Sequence, residues 1–189
     1  LAPKSKADMA FIMHIVSWLA ENGTAAVVCF PGILYRGGAE QKIRKYLVDN
    51  NFVDAIIQLP PNLFYGTGIA TCISVFKKNK KDNKILFIDA SNEFIKDGNS
   101  NRLTDENIEN ILKLYTDRKD VAYKASLISY EKIVEEKYNL SVSTYVEKED
   151  TREKIDIAAL NAEIKRIMAR EHALKDEIDR FIEEYEVGR

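Results

Sequence analysis

The sequence predicts an α/β fold: the C-terminal half of a doubly wound sheet that ends in an antiparallel hairpin, followed by a helical extension and a long final helix. Amphipathic segments with helical spacing alternate with short apolar runs that lack polar alternation, which is typical of buried strands. Two of these runs are joined by a short polar loop, which favours antiparallel strands, because a parallel crossover needs about a dozen residues. The end of the chain changes to the apolar spacing of a coiled-coil helix.

Two helices and four strands are expected in the first half of the chain. The first helix covers 6–22, with an apolar stripe formed by Phe11, Ile15, Trp18 and Leu19. The second covers 39–49, where Glu40 and Arg44 are spaced to pair across one turn. The strands are expected at 24–30, 53–59, 71–77 and 84–90, the first buried on both faces and the last two forming the hairpin.

The segment after the fourth strand is predicted to be mostly helical. Residues 91–103 are expected to form a loop, after which Thr104 caps a helix that runs to about Tyr115. The apolar stripe of this helix is formed by Ile108, Ile111, Leu112 and Tyr115. A shorter helix is expected at 129–136 and a short strand at 142–146. These patterns divide the chain into a half sheet at 1–92, an α-rich extension at 93–150 and a coiled-coil-like helix at 151–189.

A narrow apolar seam marks the final helix. Its members recur at alternating spacings of three and four, and they are Ile157, Leu160, Ile164, Ile167, Leu174, Ile178, Phe181 and Tyr185. Glu171 is the one charged residue in this series. A seam of this kind needs a partner helix, either within the chain or on another protein.

The charge, cysteines, histidines and apolar runs of the sequence argue against a strongly basic, disulfide-bonded, metal-binding or membrane protein. The net charge of −2 provides no whole-chain basic signature for nucleic acid, although local patches can carry such binding. Cys29 and Cys72 lie in apolar runs and are expected to be buried, reduced thiols. His14 and His172 have no ligand-spaced neighbours, so no metal site is expected. With no apolar span and no signal peptide in these residues, we expect a cytoplasmic protein without membrane contact.

Residues 59–78, with the sequence LPPNLFYGTGIATCISVFKK, place two aromatic residues and a glycine-rich turn directly before a β-branched strand. Together with DMAF at 8–11 and YRGGAEQKIR at 35–44, this segment resembles the later part of one enzyme family. That family is the modification (M) subunit of type I restriction-modification systems, the gamma-class DNA adenine N6-methyltransferases. The patterns LFIDAS at 86–91 and YNL at 138–140 also fit the family.

The resemblance implies that the intact enzyme transfers a methyl group from S-adenosylmethionine to adenine N6 in duplex DNA after base flipping. It implies the sheet of S-adenosylmethionine-dependent methyltransferases. The implied partners are duplex DNA, the specificity (S) subunit, a second M subunit and the restriction (R) subunit. In the S subunit, helical spacers would receive the final helix through Leu160, Ile164, Ile167, Leu174, Ile178 and Phe181.

The resemblance assigns Phe64 to stacking on the flipped adenine, with Tyr65 as the adjacent candidate. Extrusion of a base costs a few kcal/mol. Aromatic stacking stabilises the extruded base by about 1–3 kcal/mol and so offsets part of that cost. The alternative, that Phe64 packs back on the sheet, is open at this stage. Arg36, Lys77 and Lys78 are candidate phosphate contacts. Alternatively, Arg36 lies in a turn whose glycines only permit unusual backbone angles. The alternative for Lys77 and Lys78 is a solvated loop that protects a sheet edge.

The amino-methyltransferase catalytic loop, Asn/Asp-Pro-Pro-Tyr/Phe, is absent from the sequence. In Leu59-Pro60-Pro61 the first side chain cannot accept a hydrogen bond from an exocyclic amine, so a rigid turn is predicted instead. A glycine-rich cofactor loop is also absent. We therefore expect both loops to precede Leu1, and no catalytic or cofactor-binding residue and no bound cofactor in this fragment, which would be inactive alone.

Two other functions fit parts of the pattern. The chain could be a non-catalytic helical interaction module carried on an α/β scaffold, in which the seam alone has a function. It could also belong to a different adenine- or RNA-modifying amino-methyltransferase, which a target-recognition domain directly after the sheet would favour. This sequence shows no such domain, since its tail is one long helix.

Overall fold

The computed structural model describes residues 2–3, 6–149 and 156–187. The chain divides into two compact units, Leu1–Glu149 and Asp150–Arg189, which are described separately. Residues 151–155 and 188–189 of the predicted C-terminal segment lie outside the described residues, as does the side chain of Tyr185.

The first unit contains five helices and seven strands among its described residues. The helices are α1 Asp8–Trp18, α2 Ala39–Asp49, α3 Asp105–Asp117, α4 Tyr130–Glu135 and α5 Val142–Tyr145, with a 3-10 turn at Pro31–Leu34. The strands are β1 Thr24–Cys29, β2 Val53–Gln58, β3 Cys72–Lys77, β4 Ile85–Asp89, β5 Ile95–Asp97, β6 Ser100–Arg102 and β7 Ala125–Ile128. The second unit is α6, Ile157–Val187.

Five strands form one mixed sheet in the order β1-β3-β2-β4-β7, and β5 pairs with β6 in a separate hairpin. β2 and β4 are parallel, whereas β3 runs antiparallel to both β1 and β2. The predicted α/β class is therefore confirmed. Helices α1, α2, α4 and α5 cover one face through residues such as Ile12, Ile43 and Ile133, and α3 covers part of the other through Ile111.

The strand order corrects the predicted hairpin. β3 and β4 run in opposite directions, as expected, but β2 lies between them. The long connection 59–71 allows the chain to turn back, so that β3 inserts between β1 and β2. β1 was expected to be buried on both faces, yet it is an edge strand of the described sheet. Its residues alternate between exposed and partly buried up to Cys29, which is buried.

Two local predictions after the fourth strand were wrong, and one strand was missed. Residues 142–146, predicted as a strand, begin with helix α5. The predicted loop 91–103 contains the β5–β6 hairpin, which turns at Gly98 with a φ of 61°. Strand β7 was missed, and it pairs with β4, so the extension shares the main sheet with residues 1–92. Short elements such as these depend on distant partners more than on local spacing.

The apolar stripe predicted for the first helix is not the face that packs on the sheet. Met9, Ile12 and Val16 are buried against the sheet, whereas Phe11 and Trp18 are 65% and 80% exposed. The helix is apolar on more than one side, so its sequence alone does not select the face that packs.

Helix α2 was predicted correctly, but its charges pair differently. Glu40 lies 3.6 Å from Arg36 in an ion pair. Arg44 is buried and donates from Nε to the Tyr138 carbonyl and from Nη1 to the Ile33 carbonyl, both at 2.8 Å. Burial lowers the pKa of Arg44 to about 10. Arg44 thus stabilises α2 against the loop before α5 instead of forming a surface pair.

The predicted Thr104 cap is confirmed, and a second cap that was not predicted lies at the start of α6. Thr104 and Asn107 form a reciprocal capping box at the start of α3. Asp156 caps α6, because its carboxylate accepts hydrogen bonds from the N–H groups of Ala158 and Ala159 at 2.9 and 3.0 Å. Among the described helices, none is long and apolar enough to span a bilayer. Nor do the described residues contain a cluster of His, Cys, Asp or Glu suited to a metal ion.

Candidate functional site

The connection 59–71 forms a loop with a fixed stem, which leaves the carboxyl end of β2. The Leu59 N–H donates to the Thr71 carbonyl at 2.9 Å, and the Gln58 side-chain amide donates to the same oxygen at 3.0 Å. Asn62 has a φ of 52°, so the chain turns sharply just before the aromatic pair. Ligand sites of open α/β sheets lie at such carboxyl ends.

The tip of this loop presents both aromatic residues to solvent. Phe64 is 41% exposed and Tyr65 is fully exposed. The tip is closed by hydrogen bonds within the loop, from the Thr67 N–H to the Phe64 carbonyl at 3.4 Å and from the Ile69 N–H to Thr67 Oγ1 at 3.2 Å. Exposed aromatic rings on a loop closed in this way are able to stack on a planar ligand. Their role in base stacking stays a prediction.

The β5–β6 hairpin contacts the stem of the aromatic loop. Asn101 is buried and donates from its backbone N–H to the Asn62 carbonyl at 2.8 Å. Its side-chain amide donates to the Pro61 carbonyl at 2.7 Å. Sequence reasoning missed this contact because it treated 91–103 as a loop. The Asp97-Gly98 dipeptide, a frequent hairpin signal, was the one local sign of it.

Arg36, a predicted phosphate contact, has partners within the fold. It pairs with Glu40, and its guanidinium carbon lies 5.2 Å from the centroid of the Phe30 ring. A Cβ at Gly32 would lie 2.6 Å from Nη2 of Arg36, so a larger residue there would displace this side chain. The geometry favours a structural role for Arg36, and phosphate contact stays a prediction.

The lysines around the β3–β4 connection are also engaged internally. Lys77 Nζ lies 3.7 Å from the Asp54 carboxylate, and Lys78 Nζ donates to the Leu19 carbonyl at 2.6 Å. Lys80 Nζ donates to the Val53 carbonyl at 2.6 Å, and burial lowers its pKa to about 8. Direct phosphate contact by Lys77 and Lys78 is therefore a prediction without geometric support.

A buried polar network joins α3 to the sheet. Asp54 is 2% exposed and accepts hydrogen bonds from Arg118 Nη1 at 3.0 Å and from the Tyr115 hydroxyl at 2.7 Å. Burial, together with the bond to Asp54, raises the pKa of Tyr115 to about 12. The sequence placed Tyr115 in an apolar stripe, and nothing local indicated its carboxylate partner.

An apolar groove of about 320 Å³ lies between α3 and the neighbouring face of the sheet. Ala26, Ile57 and Val75 contribute the sheet side of the groove, and Ile108 and Leu112 contribute the helix side. All three of Ile108, Ile111 and Leu112 line the groove. The predicted stripe of α3 packs on the sheet only in part, because Ile111 is buried whereas Ile108 and Leu112 are exposed.

The seam of α6 is exposed within its own unit. Its described apolar members are between 46% and 70% exposed, and they are Ile157, Leu160, Ile164, Ile167, Leu174, Ile178 and Phe181. Met168 and Ile182 widen the apolar surface beside the seam. A helix of 31 residues with this much exposed apolar surface is suited to helix-on-helix docking.

Comparison with known proteins finds one matching family and several similar proteins. The profile of the N-6 DNA methylase family matches residues 1–154. The methylase subunit of the type I restriction enzyme MpnII from Mycoplasma pneumoniae is 50% identical over 188 residues, which are 99% of this chain and 35% of the relative. The MjaVIII methylase subunit from Methanocaldococcus jannaschii is 37% identical over 170 residues, 87% of this chain and 29% of the relative.

A solved structure shows the same similarity. The methyltransferase subunit of a type I restriction-modification system from Streptococcus thermophilus superimposes with a TM-score of 0.77 and 47% identity. The match covers 78% of this chain and 32% of that chain. The chain thus spans about a third of the length of these relatives.

Proposed function

Because this chain belongs to the N-6 DNA methylase family, we propose that it forms the C-terminal part of a type I modification subunit that methylates adenine N6 in duplex DNA. S-adenosylmethionine would supply the electrophilic methyl group in the intact enzyme. We assign no residue of this chain to holding that cofactor. In the intact enzyme, residues 1–189 would bind the extruded base and connect the subunit to its partners.

The exposed aromatic pair carries this proposal. An enzyme that modifies a base takes it out of the duplex stack and must replace the stacking that is lost. Phe64 and Tyr65 lie on a loop whose stem is fixed at the carboxyl end of β2, and both rings are accessible. The loop is therefore suited to receive an extruded adenine.

We expect Phe64→Ala in the intact subunit with its partners to lower the rate of DNA methylation by roughly 5- to 150-fold, which corresponds to the loss of about 1–3 kcal/mol of stacking. Phe64→Trp should retain most activity, because it preserves a planar ring. Transfer of labelled methyl groups to a duplex with one target site would measure the rate.

Tyr46→Ala is the matched control, because Tyr46 is a partly exposed aromatic residue on α2 that packs on Phe52. It should leave the rate within about twofold of the original, as expected for a surface change away from the site. If Phe64→Ala is harmless while Tyr65→Ala lowers the rate, the stacking role belongs to Tyr65. If neither changes the rate, this loop does not hold the base.

We also expect residues 1–189 alone to transfer no methyl groups to DNA. The sequence has no Asn/Asp-Pro-Pro-aromatic loop, and Leu59 cannot accept a hydrogen bond from the target amine. The measurement compares the isolated chain with the intact subunit in the same assay. Transfer above the enzyme-free background by the isolated chain would contradict the proposal.

We propose that the α6 seam docks on helical spacers of the specificity subunit, in a complex that includes a second modification subunit and, in the full system, the restriction subunit. The support is the exposed heptad pattern described above. Glu171 favours a partner of different sequence over parallel self-pairing, because two copies in register would bring like charges together in the seam.

A non-catalytic interaction module is the second candidate function. It is favoured by one observation, namely that Arg36, Lys77 and Lys78 have internal partners and so contribute little free basic surface. The Phe64 and α6 experiments separate the two functions. A module of this kind would lose partner binding with α6 but would be indifferent to Phe64→Ala. A stand-alone adenine- or RNA-modifying enzyme has no specific observation in its favour.

A further inference from the structure

A small hairpin outside the main sheet supports the aromatic loop. β6 has the burial pattern exposed, buried, exposed, so that Asn101 points inward while Ser100 and Arg102 face solvent. Asn101 is 8% exposed, which is unusual for an asparagine unless its amide is hydrogen-bonded. The side chain is directed at the stem of the loop that carries Phe64 and Tyr65.

Asn101 holds two successive carbonyl groups of that stem. Its side-chain amide donates to the Pro61 carbonyl at 2.7 Å, and its backbone N–H donates to the Asn62 carbonyl at 2.8 Å. Pro61 has no N–H, and Asn62 has a left-handed backbone, so this segment is unsuited to a regular strand ladder. The two carbonyls therefore depend on donors from another element.

Asn62 is also packed from the opposite side of the loop. Its N–H donates to the Gly68 carbonyl at 3.4 Å, and a Cβ at Gly68 would lie only 2.9 Å from Asn62 Oδ1. The stem is thus held between Asn101 and Gly68, two residues before Phe64. Because the tip is closed by hydrogen bonds within the loop, its orientation follows that of the stem.

We propose that Asn101 is a positioning residue for base stacking: it sets the direction in which Phe64 and Tyr65 present their rings to the extruded purine. The inference rests on the proposed function of the loop. Stacking requires parallel planes at contact distance, and a displacement of about 1 Å in a positioned group can lower a rate by about a hundredfold. Asn101 reaches the ligand only through the loop.

Asn101→Asp tests this role in the intact subunit with its partners. The substitution keeps the size of the side chain but places a carboxylate oxygen against the Pro61 carbonyl, which removes the donor. Asn99→Asp is the matched control, because it adds the same charge at an exposed position of the same hairpin. We expect the first to lower methylation about 10- to 100-fold and the second to change it less than twofold.

A fluorescent base separates positioning from general damage. With 2-aminopurine at the target position, the excited-state lifetime distinguishes an extruded base that stacks on an aromatic ring from one that is free. Asn101→Asp should shift the population from stacked to free while DNA affinity stays within about threefold, as expected if only the orientation of the rings is lost. Asn101→Gln, which retains an amide donor, should recover part of the stacked population.

A double variant decides whether Asn101 acts through the ring. If it does, Asn101→Asp should have little further effect when Phe64 is already alanine, because the two changes remove the same interaction. Effects that multiply, or an unchanged lifetime in Asn101→Asp, would overturn the positioning role alone. A harmless Phe64→Ala together with a harmless Tyr65→Ala would instead overturn the proposed function of the loop. If Asn101→Asp fails to fold, the 2-aminopurine lifetime is measured with Asn101→Gln instead. The expected result is then a stacked population below that of the unchanged subunit.

Discussion

If α6 docks as proposed, aspartate in place of both Ile164 and Ile178 is expected to lower the affinity of the intact subunit for its partner roughly a thousandfold or more. The two isoleucines lie two heptads apart in the α6 seam and are 46% and 57% exposed in the second unit. Full burial of an isoleucine contributes about 1.5–3 kcal/mol, and a charge in the contact adds a further penalty. A total of about 4 kcal/mol corresponds to this loss of affinity.

The control is a subunit with aspartate in place of Ala162 and Ala169. Both alanines are exposed and lie on the side of α6 opposite the seam, so the same two charges are added without touching it. Light scattering after size exclusion would measure complex formation, and circular dichroism would measure helix content. Equal losses in the two variants would assign the effect to helix propensity. Full retention of the complex in the seam variant would refute docking through α6.

Asp54→Ala is expected to lower the free energy of unfolding of the first unit by about 3 kcal/mol. The change leaves Arg118 and the Tyr115 hydroxyl without their acceptor in a largely buried position. Removing one partner of a buried ion pair costs about 3–5 kcal/mol. The lower end applies here because the side chains of Arg118 and Lys77 are 27% and 40% exposed and retain some hydration.

Urea unfolding followed by near-ultraviolet circular dichroism would measure this effect. Asp97→Ala is the matched control, since Asp97 forms an exposed ion pair with Arg102 at 3.5 Å. Its removal should change stability by less than about 1 kcal/mol, as is usual for surface pairs. If the two variants lose the same stability, the buried network makes no special contribution and α3 is held mainly by Ile111.

Several features were predictable because they depend on neighbours in the chain. α2 was predicted at 39–49 and is found at Ala39–Asp49, since its apolar residues repeat with helical spacing. The Thr104 cap and the long α6 were predicted from equally local signals. The family resemblance was confirmed for the same reason, because its motifs are contiguous segments of sequence.

The errors concern features that local spacing does not determine. Residues 142–146 have a β-branched pattern, yet Val142 is buried beneath the sheet as part of α5. In the first helix, Phe11 and Trp18 were predicted to face the core, but Ile12 does so instead. The sequence did not distinguish the two faces, because more than one side of the helix is apolar. Tertiary packing overrides weak propensities in short or uniformly apolar segments.

By itself, the sequence determined the α/β class, the main helices and strands, the apolar seam of α6 and the family, because each is carried by residues close together in the chain. Only the tertiary structure decided that β2 lies between β3 and β4, that Asp54 meets Arg118, and that Asn101 supports the loop bearing Phe64. These contacts join residues far apart in sequence. They form because buried polar groups and apolar faces must find partners once the chain has folded.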